Sequence, residues 1–380
     1  MRILIAGGGT GGHIFPALAV ARSLRALPDA PELRWLGGRR GLEGRIVPGA
    51  GIELRRLLLR SLRTVDLSIQ AALDPLRLVA SLPQAFVELV RWRPDAIFTT
   101  GGYVAVPTLL AAAALRVPVL LWEGNVVPGR SVRATARLAR VLAVSFPETA
   151  AALGREAYLT GTPIRDPAVG EAVAARARLG IPAGERCLLV FGGSQAARRL
   201  NHAVRQALPE LADRAVVLHV TGEPAIGEFG AVRDALSQPG CDRYRPVAFL
   251  DREMADALAA ADVIVGRAGS STLAEMAARG VPMVIVPYPH AAGHQAANAR
   301  VVGEAGAAII IADEAFDGAA LLAALDALGD RARYAAMAAA SRSLGRPRAA
   351  AAVAALLAAL ARREPLPEPA AIERLARGAS

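Results

Sequence analysis

Short β-type apolar runs alternate with helical patterns along almost the whole chain, and this alternation leaves few folds open. Strands joined by helices pair in parallel, as stacked βαβ units. In the first half the runs are Ile3–Ala6, Leu33–Leu36, Ile52–Leu54, Ala96–Thr99, Val119–Leu121, Val141–Val144 and Ala157–Leu159. The second half offers Cys187–Phe191, Ala215–Val220, Val247–Phe249, Val263–Val265, Met283–Val286 and Ala308–Ile311. Between the two sets, Gly161-Thr162-Pro163-Ile164-Arg165-Asp166-Pro167 has the glycine and prolines of a linker. A length of 380 residues suits two domains. The expected architecture is α/β: two Rossmann-like, doubly wound parallel-sheet domains facing across a cleft. Their expected bounds are 1–162 and 163–343. Residues 344–380 are expected to give a helix packing back on the first domain, then a tail. The stretch Glu364–Pro369 and all that follows reads as low in structure.

Composition narrows the function. A hydrophobic content of 53% would suit a membrane protein, but much of it is alanine. No uninterrupted apolar run reaches the ~18–20 residues of a transmembrane helix; Val104–Leu115 is short and contains Pro107. The N-terminus enters a strand directly, without the charged region and cleavage site of a signal peptide. The chain is expected to be cytoplasmic, soluble or peripheral. Its net charge of +10 rests on arginine alone, since lysine is absent. Such a surface favours phosphorylated substrates and an anionic membrane surface. Nucleic acid is not an expected partner: no binding module is present, and aromatics make up only 4%. Cys187 and Cys241 form neither a disulfide framework nor a metal site; Cys187, opening a strand, reads as a small core residue.

Several polar constellations fall at strand ends. Gly7-Gly8-Gly9-Thr10-Gly11-Gly12-His13 lies between the first strand and a helical pattern beginning at Pro16. Glycines let a backbone approach a ligand closely, and the helix end favours an anionic or sugar-phosphate group. His13 adds a side chain able to move a proton. Gly7, Gly9 and Gly12 also satisfy G-x-G-x-x-G, but a nicotinamide cofactor site needs an acid ending the second strand. Here that strand runs into Gly37-Gly38-Arg39-Arg40. In the second half, Gly192-Gly193-Ser194-Gln195 repeats the strand–glycine–helix arrangement. Gly266-Arg267-Ala268-Gly269-Ser270-Ser271-Thr272-Leu273-Ala274-Glu275 has two readings: hydroxyls and amides binding phosphate with Glu275 on a ribose, or a helix start capped by Ser270–Thr272. His290 and His294 are four apart, but Gly293 and the missing carboxylate argue against a metal pair. Glu123 and Asn125 end another first-half strand.

Taken in order, these residues resemble the MurG family of cell-wall glycosyltransferases over roughly residues 1–345: Gly8–His13 with Pro16, Gly101-Gly102-Tyr103 with Pro107, Glu123 with Asn125, Gly161-x-Pro163-x-Arg165, Gly192–Gln195 with Arg198 and Asn201, Arg267-x-Gly269-x-x-Thr272-x-x-Glu275, and His294-Gln295 with Asn298. The resemblance implies a GT-B fold and an inverting transfer of N-acetylglucosamine from UDP-GlcNAc to the C4 hydroxyl of the muramoyl sugar of lipid I, giving lipid II. It places the reaction at the cytoplasmic face of the cell membrane, with cell-wall synthesis proteins as further candidate partners. By the family pattern, Leu250 lies beside the uracil, Glu275 takes the ribose, and His294 with Gln295 takes the sugar hydroxyls. Ser194 and Thr272 cradle the diphosphate, with Gly269, Ser270, Ser271 and Leu273 beside them. Arg165 meets the departing UDP. Thr10, Gly11, Gly12 and Asn125 reach the transferred sugar or the acceptor.

Inversion by single displacement needs a base for the attacking hydroxyl. His13 is the candidate, with an acceptor-positioning hydrogen bond as its other reading. Glu123 is the rival, either as base or as the partner orienting His13. The chain has no Asp-x-Asp, Asp251-Arg252-Glu253 being nearest, so no metal and no cofactor is expected. The family's usual His-Glu-Gln-Asn reads Trp122-Glu123-Gly124-Asn125, which implies one polar side chain fewer near the acceptor. Finally, Leu76, Val79, Leu82, Phe86 and Val90 recur at helical spacing near Arg77, Arg91 and Arg93. That stripe suits either a bilayer surface or an ordinary core-facing helix.

Overall fold

The computed structural model describes residues 1–39, 41–59, 74–164, 172–192, 198–250, 253–291 and 293–378. Arg165 and Ser194 lie outside the described residues. The chain divides into two compact units, Met1–Asp166 with Arg346–Ser380, and Pro167–Gly345.

The first unit is built on a seven-stranded parallel sheet of β1 (Arg2–Ala6), β2 (Glu32–Gly37), β3 (Glu53–Arg56), β4 (Ala96–Thr99), β5 (Val119–Glu123), β6 (Val141–Val144) and β7 (Tyr158–Leu159). Their order across the sheet is β3-β2-β1-β4-β5-β6-β7. Strands covered on both faces must be apolar, and β1 is so from Ile3 to Ala6, with only Arg2 at its start exposed. Ile3 and Ile5 enter one core cluster, while Leu4 and Ala6 enter the cluster on the other side. The second unit repeats the design with β8 (Cys187–Phe191), β9 (Val216–Val220), β10 (Tyr244–Val247), β11 (Val263–Gly266), β12 (Met283–Ile285) and β13 (Ala308–Ile310), ordered β10-β9-β8-β11-β12-β13. Leu188 and Val190 face one core, Cys187 and Leu189 the other. Burial pushes the Cys187 thiol up to about 12, so it packs as an inert apolar group.

In each sheet the winding reverses beside the first strand, between β1 and β4 and between β8 and β11. Carboxyl ends on either side of such a reversal leave a crevice suited to ligands. The glycine loops after β1 and β4 therefore share one edge of the first unit. The segments after β8 and β11 share the matching edge of the second.

Four local expectations change. The strand read at Val247–Phe249 is β10, Tyr244–Val247. Arg245 and Pro246 hid it, and Pro246 is tolerated because β10 is an edge strand. The helix after β1 starts at Gly11, five residues before Pro16, so His13 sits in its first turn. Pro16 lacks only the N–H that would have bonded to Gly12, and the helix continues to Arg25. Residues beyond Glu364 are not structureless: Pro369–Arg377 forms a helix, with proline in its first turn and Gly378 in the left-handed conformation at its end. Ile372 and Ala376 bury its apolar face in the first unit's core, alongside helix Ala349–Arg362. Lastly, the stripe on helix Asp74–Trp92 is not core-facing. Ser81, Ala85, Leu89 and Trp92 are the buried side, whereas Leu76 is 66% and Val79 63% exposed, with Phe86, Val87 and Val90 also in solvent. Leu82 is half-buried.

The second unit also buries His219 completely, its Nδ1 2.9 Å from the Tyr244 hydroxyl and its Nε2 3.0 Å from Asn201 Oδ1, with the Phe229 ring edge-on. Burial lowers its pKa from 6.5 to about 3. Between those values the unfolded chain binds a proton that the folded one refuses, so stability falls as pH drops through this window. The slope from this group is about 1.4 kcal/mol per pH unit at most. Thermal melting between pH 7 and pH 4 should show that loss, and His219→Gln should flatten it.

Candidate active site

In the first unit the loop after β1 is held from below, where the Trp35 indole N–H donates to the Gly7 carbonyl at 2.8 Å. Gly9 turns the chain at φ 94°, a conformation that favours glycine. Thr10 precedes the helix in extended conformation and makes no side-chain capping bond. Its carbonyl accepts from His13 and Ile14, while Gly11 and Gly12 stand ahead of the helical ladder, so their N–H groups are available to a ligand.

The His13 imidazole is fixed by the segment after β4. Its Nδ1 lies 2.8 Å from the Thr100 carbonyl, and the Thr100 hydroxyl donates back to the His13 carbonyl at 3.1 Å. A carbonyl only accepts, so Nδ1 carries a proton, and in the neutral ring Nε2 is then the nitrogen with the lone pair. A Cβ at Gly102 would stand 3.7 Å from Nε2; glycine leaves that nitrogen open.

Glu123, ending β5, is buried. Its Oε1 accepts from the backbone and side-chain N–H of Asn125 at 2.9 and 3.0 Å, and its Oε2 from Gly129 N–H at 2.9 Å. Both oxygens are thus engaged in shaping the loop that presents Asn125. The group that orients His13 is the Thr100 carbonyl rather than Glu123.

In the second unit, helix Ser270–Arg279 begins after Gly269, and no side chain caps it. Of the two readings of this segment, the cap by Ser270–Thr272 is not seen, and Gly269 occupies the capping position. Ser271 Oγ is buried without a hydrogen-bond partner among the described residues. Thr272 and Leu273 follow in the same first turn, and Glu275 lies half-buried one turn further on. Gln295, on helix His294–Glu304, accepts through Oε1 from the N–H groups of Ala268 (3.1 Å) and Tyr288 (2.9 Å). It ties the loop after β11 to the loop after β12 and leaves its own amide NH₂ as the donor for a ligand. Asn298, buried, donates to the Ala268 carbonyl at 3.1 Å. Leu250 is half-buried three residues beyond edge strand β10. Gly269–Leu273, Glu275, His294 and Gln295 are therefore assembled around one sheet edge.

Known proteins match this chain. The glycosyltransferase family 28 N-terminal domain matches residues 3–144 and the family 28 C-terminal domain residues 187–353. The UDP-N-acetylglucosamine--N-acetylmuramyl-(pentapeptide) pyrophosphoryl-undecaprenol N-acetylglucosamine transferase of Moorella thermoacetica is 41% identical, over 91% of this chain and 95% of its own. The chain belongs to the MurG family. The crystal structure of Acinetobacter baumannii MurG superposes with a TM-score of 0.76 at 29% identity, covering 94% of this chain and 99% of that one. A putative UDP-N-acetylglucosamine 2-epimerase from Listeria monocytogenes, 14% identical at a TM-score of 0.68, shares the fold alone, over 97% of this chain and 98% of that one. The fold is GT-B, and this MurG-family chain is a hexosyltransferase.

The departure from the MurG family's usual sequence at residue 122 removes nothing from the site. Trp122 is buried in the core beneath the sheet and donates from its indole N–H to Gly161 at 3.0 Å. Arg267, part of the family motif, is also buried. It donates to the Val286 carbonyl at 3.0 Å, pairs with Asp313 at 2.5 Å and lies over the Tyr288 ring. It braces the loops that hold Gln295. Thr100 escaped sequence reading because it acts through its backbone carbonyl, which no residue type reveals.

Proposed function

We propose that this chain transfers N-acetylglucosamine from UDP-GlcNAc to the C4 hydroxyl of the N-acetylmuramoyl sugar of lipid I, forming lipid II for peptidoglycan. The observation that carries the mechanism is the His13 ring, whose Nδ1 is held by the Thr100 carbonyl while Nε2, beside Gly102, has no hydrogen-bond partner among the described residues. Nε2 takes the proton of the attacking hydroxyl as that oxygen bonds to the anomeric carbon. The bond from that carbon to UDP breaks on the opposite face, inverting the centre. The Gly11 and Gly12 amides and Thr10 receive the acceptor's sugar and diphosphate oxygens, and Asn125 meets a sugar hydroxyl. On the donor side, Leu250 flanks the uracil, Glu275 accepts from the ribose hydroxyls, and His294 and Gln295 donate to the sugar. Ser194, Thr272 and the first amides of helix Ser270–Arg279 hold the diphosphate. Arg165 and that helix end meet the charge of the departing UDP. No metal is required in this reading.

The exposed stripe of Leu76, Val79, Phe86, Val87 and Val90, with Leu110 on the neighbouring helix and Arg91 and Arg93 at the end, supports peripheral docking on an anionic cytoplasmic membrane face. Radiolabelled UDP-GlcNAc, offered lipid I or diacylglycerol with and without chelator, tests the reading. Label should enter lipid I alone and at an unchanged rate in chelator. Incorporation only into diacylglycerol would favour another lipid acceptor, and loss of transfer in chelator would overturn metal independence.

A further inference from the structure

Glu43 opens helix Glu43–Gly49, six residues past the end of β2, and it is 0% exposed. A carboxylate so placed must be compensated, and no cation pairs with it among the described residues. Its compensation comes from three strand ends. Oε2 accepts from the Gly9 N–H at 3.0 Å; Oε1 accepts from the Gly38 N–H at 3.0 Å and the Tyr103 hydroxyl at 2.9 Å. The glycines around it are there for room. A Cβ at Gly8 would fall 2.5 Å from Oε1, one at Gly37 3.0 Å from Cγ, and one at Gly41 would overlap the carboxylate. Burial, then the charge of Glu43, raises the Tyr103 pKa, which keeps the phenol a donor.

We propose that Glu43 is the positioning residue of the acceptor loop. Through Gly9 it fixes the turn that carries Thr10, Gly11, Gly12 and His13; through Tyr103 it fixes the segment whose Gly102 lies beside the imidazole. A dinucleotide fold spends the acid near this strand end on a ribose. Here the acid is turned inward, so the first unit keeps a glycine cradle and gives up nucleotide. The role rests on the reading of His13 as base toward the acceptor.

Glu43→Gln keeps the shape but sets an NH₂ against backbone N–H groups. Its kcat for transfer to lipid I, counted per UDP-GlcNAc-binding site, should fall about 10- to 100-fold. Binding of UDP-GlcNAc should stay within about twofold, because the donor residues are on the other unit. Tyr103→Phe should lose about 3- to 10-fold, and the double variant no more than Glu43→Gln alone. Should Glu43→Gln fail to fold, Tyr103→Phe alone, with its kcat loss at unchanged donor binding, carries the test. Unaltered kcat per binding site in either variant, or losses that multiply in the double variant, would overturn the proposal. Wild-type enzyme that transfers nothing to lipid I would instead overturn the reading beneath it.

Discussion

His13→Ala is expected to lower kcat for transfer by about 10²- to 10⁴-fold while UDP-GlcNAc still binds normally. The loss follows from geometry. The ring sits in the first turn of a helix, with Nδ1 donating to the Thr100 carbonyl and Nε2 beside Gly102. On the proposed mechanism, removing it takes away the proton acceptor and leaves the second unit, which carries the proposed donor residues, undisturbed. Steady-state kinetics with saturating UDP-GlcNAc, together with calorimetric donor binding, would separate the two effects. Turnover within about tenfold of wild type would assign the imidazole a positioning role only. His13→Gln is a stricter companion, because it can still donate to Thr100 yet cannot accept the proton near neutral pH.

Glu123→Ala is expected to cost about 10²-fold, for a different reason. The carboxylate satisfies three N–H donors, two from Asn125 and one from Gly129. Each buried donor left unpaired costs about 1–3 kcal/mol, and about 2.7 kcal/mol of lost positioning would account for the rate. Because it acts through Asn125, the double variant Glu123→Ala/Asn125→Ala should be little worse than either single one. Glu123→Gln, which keeps an acceptor oxygen, should recover part of the rate. A Glu123→Gln enzyme as inactive as His13→Ala would return Glu123 to the role of base.

What the sequence could convey differed by kind of information. Strands covered on both faces announce themselves as unbroken apolar runs, so β1, β4 and β8 are legible within a residue. Edge strand β10 is not, because half of it is Arg245 and Pro246. Helix Pro369–Arg377 was hidden by the prolines before it, although one of them is a helix starter rather than a breaker. Among the proposed site residues, those whose chemistry lies in the side chain, such as His13, Glu275 and Gln295, can be found by motif. Those that act by holding others cannot. Glu43, on the helix after β2, is proposed to be such a residue, and nothing in its spacing marks a carboxylate facing inward. The exposed stripe on helix Asp74–Trp92 has the same periodicity as a core-facing one. Only the direction of Ser81, Ala85 and Leu89 decides which side is dry.

Nitrogen NMR of the His13 imidazole, labelled in the intact chain above neutral pH, bears on all of this most directly. A protonated Nδ1 and a bare Nε2 is the expected spectrum. A proton resting on Nε2, with Nδ1 bare, would leave the hydroxyl of the acceptor no base at this position and contradict the account.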